Sequence, residues 1–200
     1  MTRIAPAAIL ATLLAAGTGP ASADVSLAEA SAYLNGFTGA EGKFTQIADD
    51  GSIATGTVRL QRPGRMRFEY DPPLEQLVVA GGGQVAVFDG KSNAGPEQYP
   101  LSRTPLSIIL APQVDLTRAR MVTGRRVDGP STTITAQDPE NPDYGSIDLV
   151  FTDDPVELRQ WVVRDASGGA TTVVLGELTL GAGFPSSSFS IPIETERWRR

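Results

Sequence analysis

Val58-Arg59-Leu60-Gln61-Arg62-Pro63-Gly64-Arg65-Met66-Arg67-Phe68-Glu69-Tyr70 is the stretch that decides the fold of this chain. Val58 and Leu60 share one face of an extended segment, while Thr57, Arg59 and Gln61 share the other. Beyond Pro63-Gly64, Met66, Phe68 and Tyr70 alternate with Arg67 and Glu69. Two period-two segments around a tight turn make an antiparallel pair with one apolar face.

The same pattern runs outward in both directions. Phe44 and Gln46 share a face of a preceding strand, which turns at Asp49-Asp50-Gly51. Leu77–Val79 and Val85–Phe88 flank Gly81-Gly82-Gly83, a hairpin signal. Further strands are predicted near 132–136, 146–151, 157–163 and 171–180, with turns at Asp153-Asp154-Pro155 and Ser167-Gly168-Gly169. Short strands joined by tight turns imply an antiparallel meander.

Two helices interrupt it. Ser26 and Glu29 have capping-box spacing. Leu27, Ala30, Leu34 and Phe37 follow at helical intervals, and Asn35-Gly36 supplies the stop. Near 105–111, Thr104 is placed to cap a helix and Pro105 suits its first position. Leu106, Ile109 and Leu110 form its apolar face, Ile108 adds to it, and Pro112 ends it. Two short helices cannot pave a sheet of many strands, so the sheet must curl. The expected fold is mainly β: an antiparallel, unclosed half-barrel with short helices as a lid over a hydrophobic cavity. The pattern alone is equally compatible with a solid core, because sequence does not reveal voids.

The first residues point to export. Arg3, the apolar run Ile4–Ala16 and Ala21-Ser22-Ala23 form a signal peptide over residues 1–23, with cleavage expected before Asp24. The apolar run falls short of the roughly 20 residues a membrane-spanning helix needs. Residues 24–200 are expected to form one domain, a periplasmic monomer. The absence of any cysteine removes both disulfides and a lipid-attachment site. The net charge of −6 comes with no basic stripe, which argues against nucleic acid as a partner. The basic end, Arg197-Trp198-Arg199-Arg200, reads as a frayed terminus that would not affect ligand binding.

Catalytic chemistry has little to work with. With no His and no Cys there is no Ser-His-Asp triad, thiol nucleophile or ordinary zinc site. The acidic pairs Asp49-Asp50 and Asp153-Asp154 stand at turns and lack calcium-loop spacing. No enzymatic activity, metal or cofactor is expected. Arg62 has two readings. It is either a solvated hairpin residue, or it leans over the mouth of the cavity and donates to the free C-terminal carbonyls of the lid helices.

Phe44-Thr45-Gln46, the Gly51 turn, Leu60 through Pro73 and Thr104-Pro105-Leu106 through Leu110 together resemble the LolA family of outer-membrane lipoprotein carrier proteins. The resemblance spans nearly all of residues 24–200, and the run Arg62–Pro73 is its specific part. It implies an open β-barrel whose helices cover a hydrophobic cavity. It implies acylated lipoproteins as cargo, an inner-membrane ABC transporter as donor and an outer-membrane acceptor. Arg62 matches the family's lid-holding arginine. The acyl-binding wall is then expected from Leu34, Phe37, Phe44, Val58, Leu60, Met66, Phe68, Tyr70, Leu106, Ile109 and Leu110. A lipid- or lipoprotein-sensing regulator of similar fold is the alternative, although such proteins usually add a second domain.

Overall fold

A computed structural model describes residues 24–92, 94–118 and 120–199. The signal-peptide assignment and the end of the basic tail at Arg200 lie outside the described residues.

The chain opens with helix α1, Leu27–Asn35, which carries the expected capping box. Glu29 N–H donates to Ser26 Oγ (3.2 Å) and Ser26 N–H donates to Glu29 Oε2 (2.9 Å). The Ser26 bonds hold the Glu29 carboxyl below its usual value. Strands β1 (Gly39–Ile47), β2 (Ile53–Gln61), β3 (Arg65–Tyr70), β4 (Gln76–Gly81), β5 (Gln84–Asp89) and β6 (Glu97–Pro100) follow as a meander. A second meander comprises β7 (Val122–Asp128), β8 (Ser131–Gln137), β9 (Ser146–Thr152), β10 (Glu157–Arg164) and β11 (Ala170–Leu180). Pairing of β1 with β11 joins the two into one antiparallel sheet, ordered β6-β5-β4-β3-β2-β1-β11-β10-β9-β8-β7. β6 and β7 remain as free edges, so the barrel is open. Register shifts in β1/β11, β7/β8 and β9/β10 mark irregularities of the kind that bend a sheet.

Turn chemistry agrees with the sequence. Gly82 and Gly83 have φ of +60° and +77°, the conformation a two-residue hairpin between β4 and β5 requires. Gly56 serves packing instead: a Cβ there would lie 2.7 Å from the Phe44 ring and 2.1 Å from Glu69 O.

The concave face is one apolar core. Phe44, Val58, Met66 and Phe68 from the first meander meet Ile134, Leu149, Phe151, Trp161 and Leu175 from the second. The chain then crosses this face between β6 and β7. A 3-10 turn at Leu101–Arg103 leads into helix α2, Leu106–Ile109. Leu101, Ile108, Ile109, Leu110, Val114 and Leu116 of the crossing are buried with Val25, Ala30 and Leu34 of the N-terminal segment. α2 is shorter than the sequence suggested. Pro105 takes the cap position in place of Thr104, whose hydroxyl donates back to Leu101 O (2.9 Å). α1 stops at Asn35 with Gly36 as its cap, where the sequence placed the stop, although Gly36 keeps a right-handed φ of −66°.

Three elements escaped the sequence reading: β6, β7 and a C-terminal helix, α3, Ile191–Trp198. α3 corrects the reading of the basic end, because Arg197 and Trp198 are helical and the Trp198 ring lies 5.5 Å from Phe88. It also corrects the idea of a sheet with one apolar face. Leu77, Val79, Ala86 and Phe88 point outward from β4 and β5 and form a second core with Phe189 and Ile191.

Candidate functional site

The lid is held where the hairpin β2–β3 turns. Arg62 follows β2 directly, and its backbone N–H donates to Thr38 O (2.7 Å). The side chain is 6% exposed, so the solvated-hairpin reading does not hold. Its Nη2 donates to Leu34 O and Phe37 O, and Nη1 donates to Asn35 Oδ1 (3.3 Å). The guanidinium also lies 5.4 Å from the centre of the Phe37 ring. These acceptors belong to the last turn of α1 and the residues just after it, where carbonyls are free and the helix dipole is negative. Burial pushes the guanidinium pKa down from its ordinary value. Among the described residues no carboxylate forms an ion pair with Arg62.

The second half of the lid reaches the same corner. Gly64 N–H donates to Leu110 O at the end of α2 (2.9 Å). Arg62 and Gly64 therefore sit under both helices, two residues apart.

Beneath the corner lies an apolar pocket lined by Leu34, Phe37, Val58, Leu60, Arg62 and Ile109, all named from sequence. Ala40, Leu158, Trp161, Leu175 and Leu178 complete it and were missed. Leu175, Leu178, Leu158 and Trp161 belong to β11 and β10. The signal that could have found them is strand register: β11 against β1, with Phe44 facing Leu175 and Gly42 facing Leu178, and β10 against β11, with Trp161 facing Val173. The remaining named residues fall elsewhere. Phe44, Met66, Phe68 and Leu110 are buried in the same core, away from the pocket. Tyr70 and Leu106 are half-buried against it. The Tyr70 hydroxyl donates to Gln46 Oε1 (2.7 Å), and burial pushes its pKa up to about 12.

In this closed form the pocket holds about 20 Å³, room for roughly one water. Aromatic rings fill the core around it. Tyr33 of α1 makes T-shaped contacts with Phe37 (5.6 Å) and Phe151 (6.0 Å), and Phe44 with Phe68 (5.0 Å). As it stands, this pocket does not admit an apolar ligand larger than a water. The acidic pairs are turn residues: Ser52 N–H donates to Asp50 Oδ1 (2.9 Å). Among the described residues, no three metal-ligating side chains cluster, and no helix is long and apolar enough to cross a membrane.

Residues 35–192 match the family described as outer membrane lipoprotein carrier protein LolA. An outer-membrane lipoprotein carrier protein from Methylobacillus flagellatus is 26% identical over 141 residues, 69% of this chain and 68% of that one. Another, from Chromohalobacter salexigens, is 27% identical over 158 residues, 74% of this chain and 73% of that one. A solved LolA superfamily protein from Nitrosomonas europaea superposes with a TM-score of 0.43 at 10% identity, over 84% of this chain and 98% of that one. With more than half of its length matched by the family model, and with its mainly β, open-sheet fold, this chain belongs to the LolA family of outer membrane lipoprotein carriers.

Proposed function

We propose that the chain is exported by its first 23 residues and works in the periplasm as a monomeric, non-enzymatic sheath for the acyl chains of lipoproteins. It accepts them from an inner-membrane ABC transporter and hands them to an outer-membrane acceptor. The observation that carries this reading is the lid: two helices lie on a mainly apolar concave surface, α1 tied at one corner by a buried guanidinium that finds neutral acceptors and the end of α2 bonded beside it through Leu110 O and Gly64 N–H.

The energetics fit a reversible carrier. Each CH₂ withdrawn from water gains roughly 0.8 kcal/mol, so an acylated protein does not cross water unsheathed. Each bond that closes the lid contributes about 0.5–1.5 kcal/mol net. A few such bonds oppose loading enough to permit release, without preventing it. Transfer then needs only an acceptor that binds the cargo better.

The test uses residues 24–200, a fluorescent long-chain fatty acid and a purified triacylated lipoprotein. The fatty acid is expected to bind, the lipoprotein to displace it, and the same protein lacking its acyl groups to leave it in place. A folded protein that binds neither apolar ligand would overturn the proposal.

A further inference from the structure

α1 and α2 lie about 70 residues apart in sequence, and the latch at Arg62 touches only α1 and the residues following it. What joins α1 to the segment that follows α2 is a set of side chain to backbone bonds from Asn35 and Ser31. Asn35 Nδ2 donates to Val114 O (2.7 Å), and Asn35 Oδ1 accepts from Val114 N–H (2.9 Å). The amide thus makes with a side chain the two-way exchange that a hydrogen-bonded strand pair makes between backbones. One turn earlier, Ser31 Oγ donates to Leu27 O (2.7 Å) and accepts from Leu116 N–H (3.0 Å). Val114 and Leu116 are buried, so their backbone groups depend on these partners. Asn35 Oδ1 is shared, because Arg62 Nη1 also donates to it.

We infer that Asn35, assisted by Ser31, is the positioning residue that makes α1 and the segment 106–116 a single lid, so that releasing one latch releases both helices. This rests on the reading of Arg62 as the latch. An asparagine suits the position: one flat amide offers donor and acceptor on the same edge, and its oxygen has a second lone pair for the guanidinium. A leucine of similar size offers neither, and an aspartate offers only acceptors.

The test is residue-resolved amide exchange on ligand-free protein, residues 24–200, which needs no cargo. Arg62→Leu is expected to speed exchange of the α1 amides and of Ser107, Ile108 and Leu110 by the same factor, about tenfold, on the scale of one or two lost hydrogen bonds. In an Asn35→Leu background Arg62→Leu still loosens α1, but the α2 amides no longer follow. Asn35→Asp, which keeps the acceptor for Val114 N–H, transmits part of the effect and serves if the leucine variant does not fold. Leu149 in β9 reports any global loss of stability. If α2 keeps its wild-type rate while Arg62→Leu loosens α1, the two helices are not one lid. If transmission survives Asn35→Leu, it runs through Gly64 and Leu110 instead. Either result overturns the inference. An α1 untouched by Arg62→Leu would remove the latch itself, and the inference with it.

Discussion

Arg62 and Arg67 lie five residues apart on one hairpin and are almost equally buried, at 6% and 8% exposure, yet they face opposite sides of the sheet. Arg62 faces the cavity and donates to two carbonyls and an amide oxygen. Arg67 faces outward under α3. Its Nε and Nη2 donate to Glu69 Oε1 (2.9 and 2.8 Å), and its Nη1 lies 3.1 Å from Glu194 Oε1 and donates to Ser188 O (3.1 Å). Glu194 is 2% exposed and is shared with Arg197 (2.7 Å). The ion pairs continue across the sheet from Glu69 to Arg59 (2.6 Å) and on to Glu41 (2.5 Å). A buried charge matched by buried charges resists separation, because parting them strands each in a poor solvent. A buried charge matched by dipoles gives up only hydrogen bonds when its partners leave. On the proposed function, the outer arginine acts as a lasting clasp and the inner one as a latch that can let go.

Arg67→Leu should produce the largest effect. It leaves the buried Glu194 carboxylate with only the exposed Arg197 as an ion-pair partner, and urea unfolding should show a loss of about 2–3 kcal/mol, below that of a fully unpaired buried charge. A loss below about 1 kcal/mol would mean that the clasp is ornamental. Replacing Glu194 by Gln together with Arg67→Leu should restore part of that loss, since the stranded charge is gone.

Acid should separate the two regions next. Burial pushes the Glu69 carboxyl up, but the hydrogen bonds and charges of Arg67 and Arg59 outweigh it and leave its pKa below the usual carboxylate value. The stability it contributes is complete above the ordinary carboxylate pKa and is lost as pH falls through the lower folded value. Amides of α3 should therefore lose protection on acidification below about pH 4 before those of the last turn of α1, which Arg62 holds without a carboxylate. Simultaneous loss in both places would remove the distinction.

How far this contrast was legible in the sequence depends on the face. The inner face was readable because Val58, Leu60, Met66 and Phe68 alternate cleanly with charged and polar residues, and because the run from Arg62 to Pro73 carries the resemblance to the family. The outer face was misread. Leu77-Val78-Val79-Ala80 and Val85-Ala86-Val87-Phe88 do not alternate at all, which is the mark of strands buried on both sides. Ser190, Pro192 and Glu194 before Trp198 carry a helix-start pattern that a basic ending obscured. Arg67, spaced as a surface residue, could not show its burial, because its cover comes from a helix 124 residues further along. The pocket's β10 and β11 walls were hidden for a similar reason: only the long-range register of β11 with β1, and of β10 with β11, places them.

Smaller changes at the inner corner sharpen the comparison. Arg62→Lys keeps the charge but loses the planar fork that reaches several acceptors at once. It should weaken closure by about 1 kcal/mol, read as modestly tighter fatty-acid binding, and lower unfolding stability by no more than that amount. Unchanged binding would mean that charge alone closes the lid.

Arg62→Leu is the measurement that matters most, because it separates a latch from a structural residue. Removing a buried charge offsets the bonds it made, so stability should move by no more than about 1 kcal/mol. The closed state, however, loses its fastening while the mouth gains apolar surface, and both favour the loaded form. With a labelled lipoprotein loaded on carrier and mixed with the outer-membrane acceptor, the leucine variant should load as well as wild type and pass its cargo on about tenfold more slowly or worse. A leucine variant that folds, loads and unloads at the wild-type rate would contradict the latch.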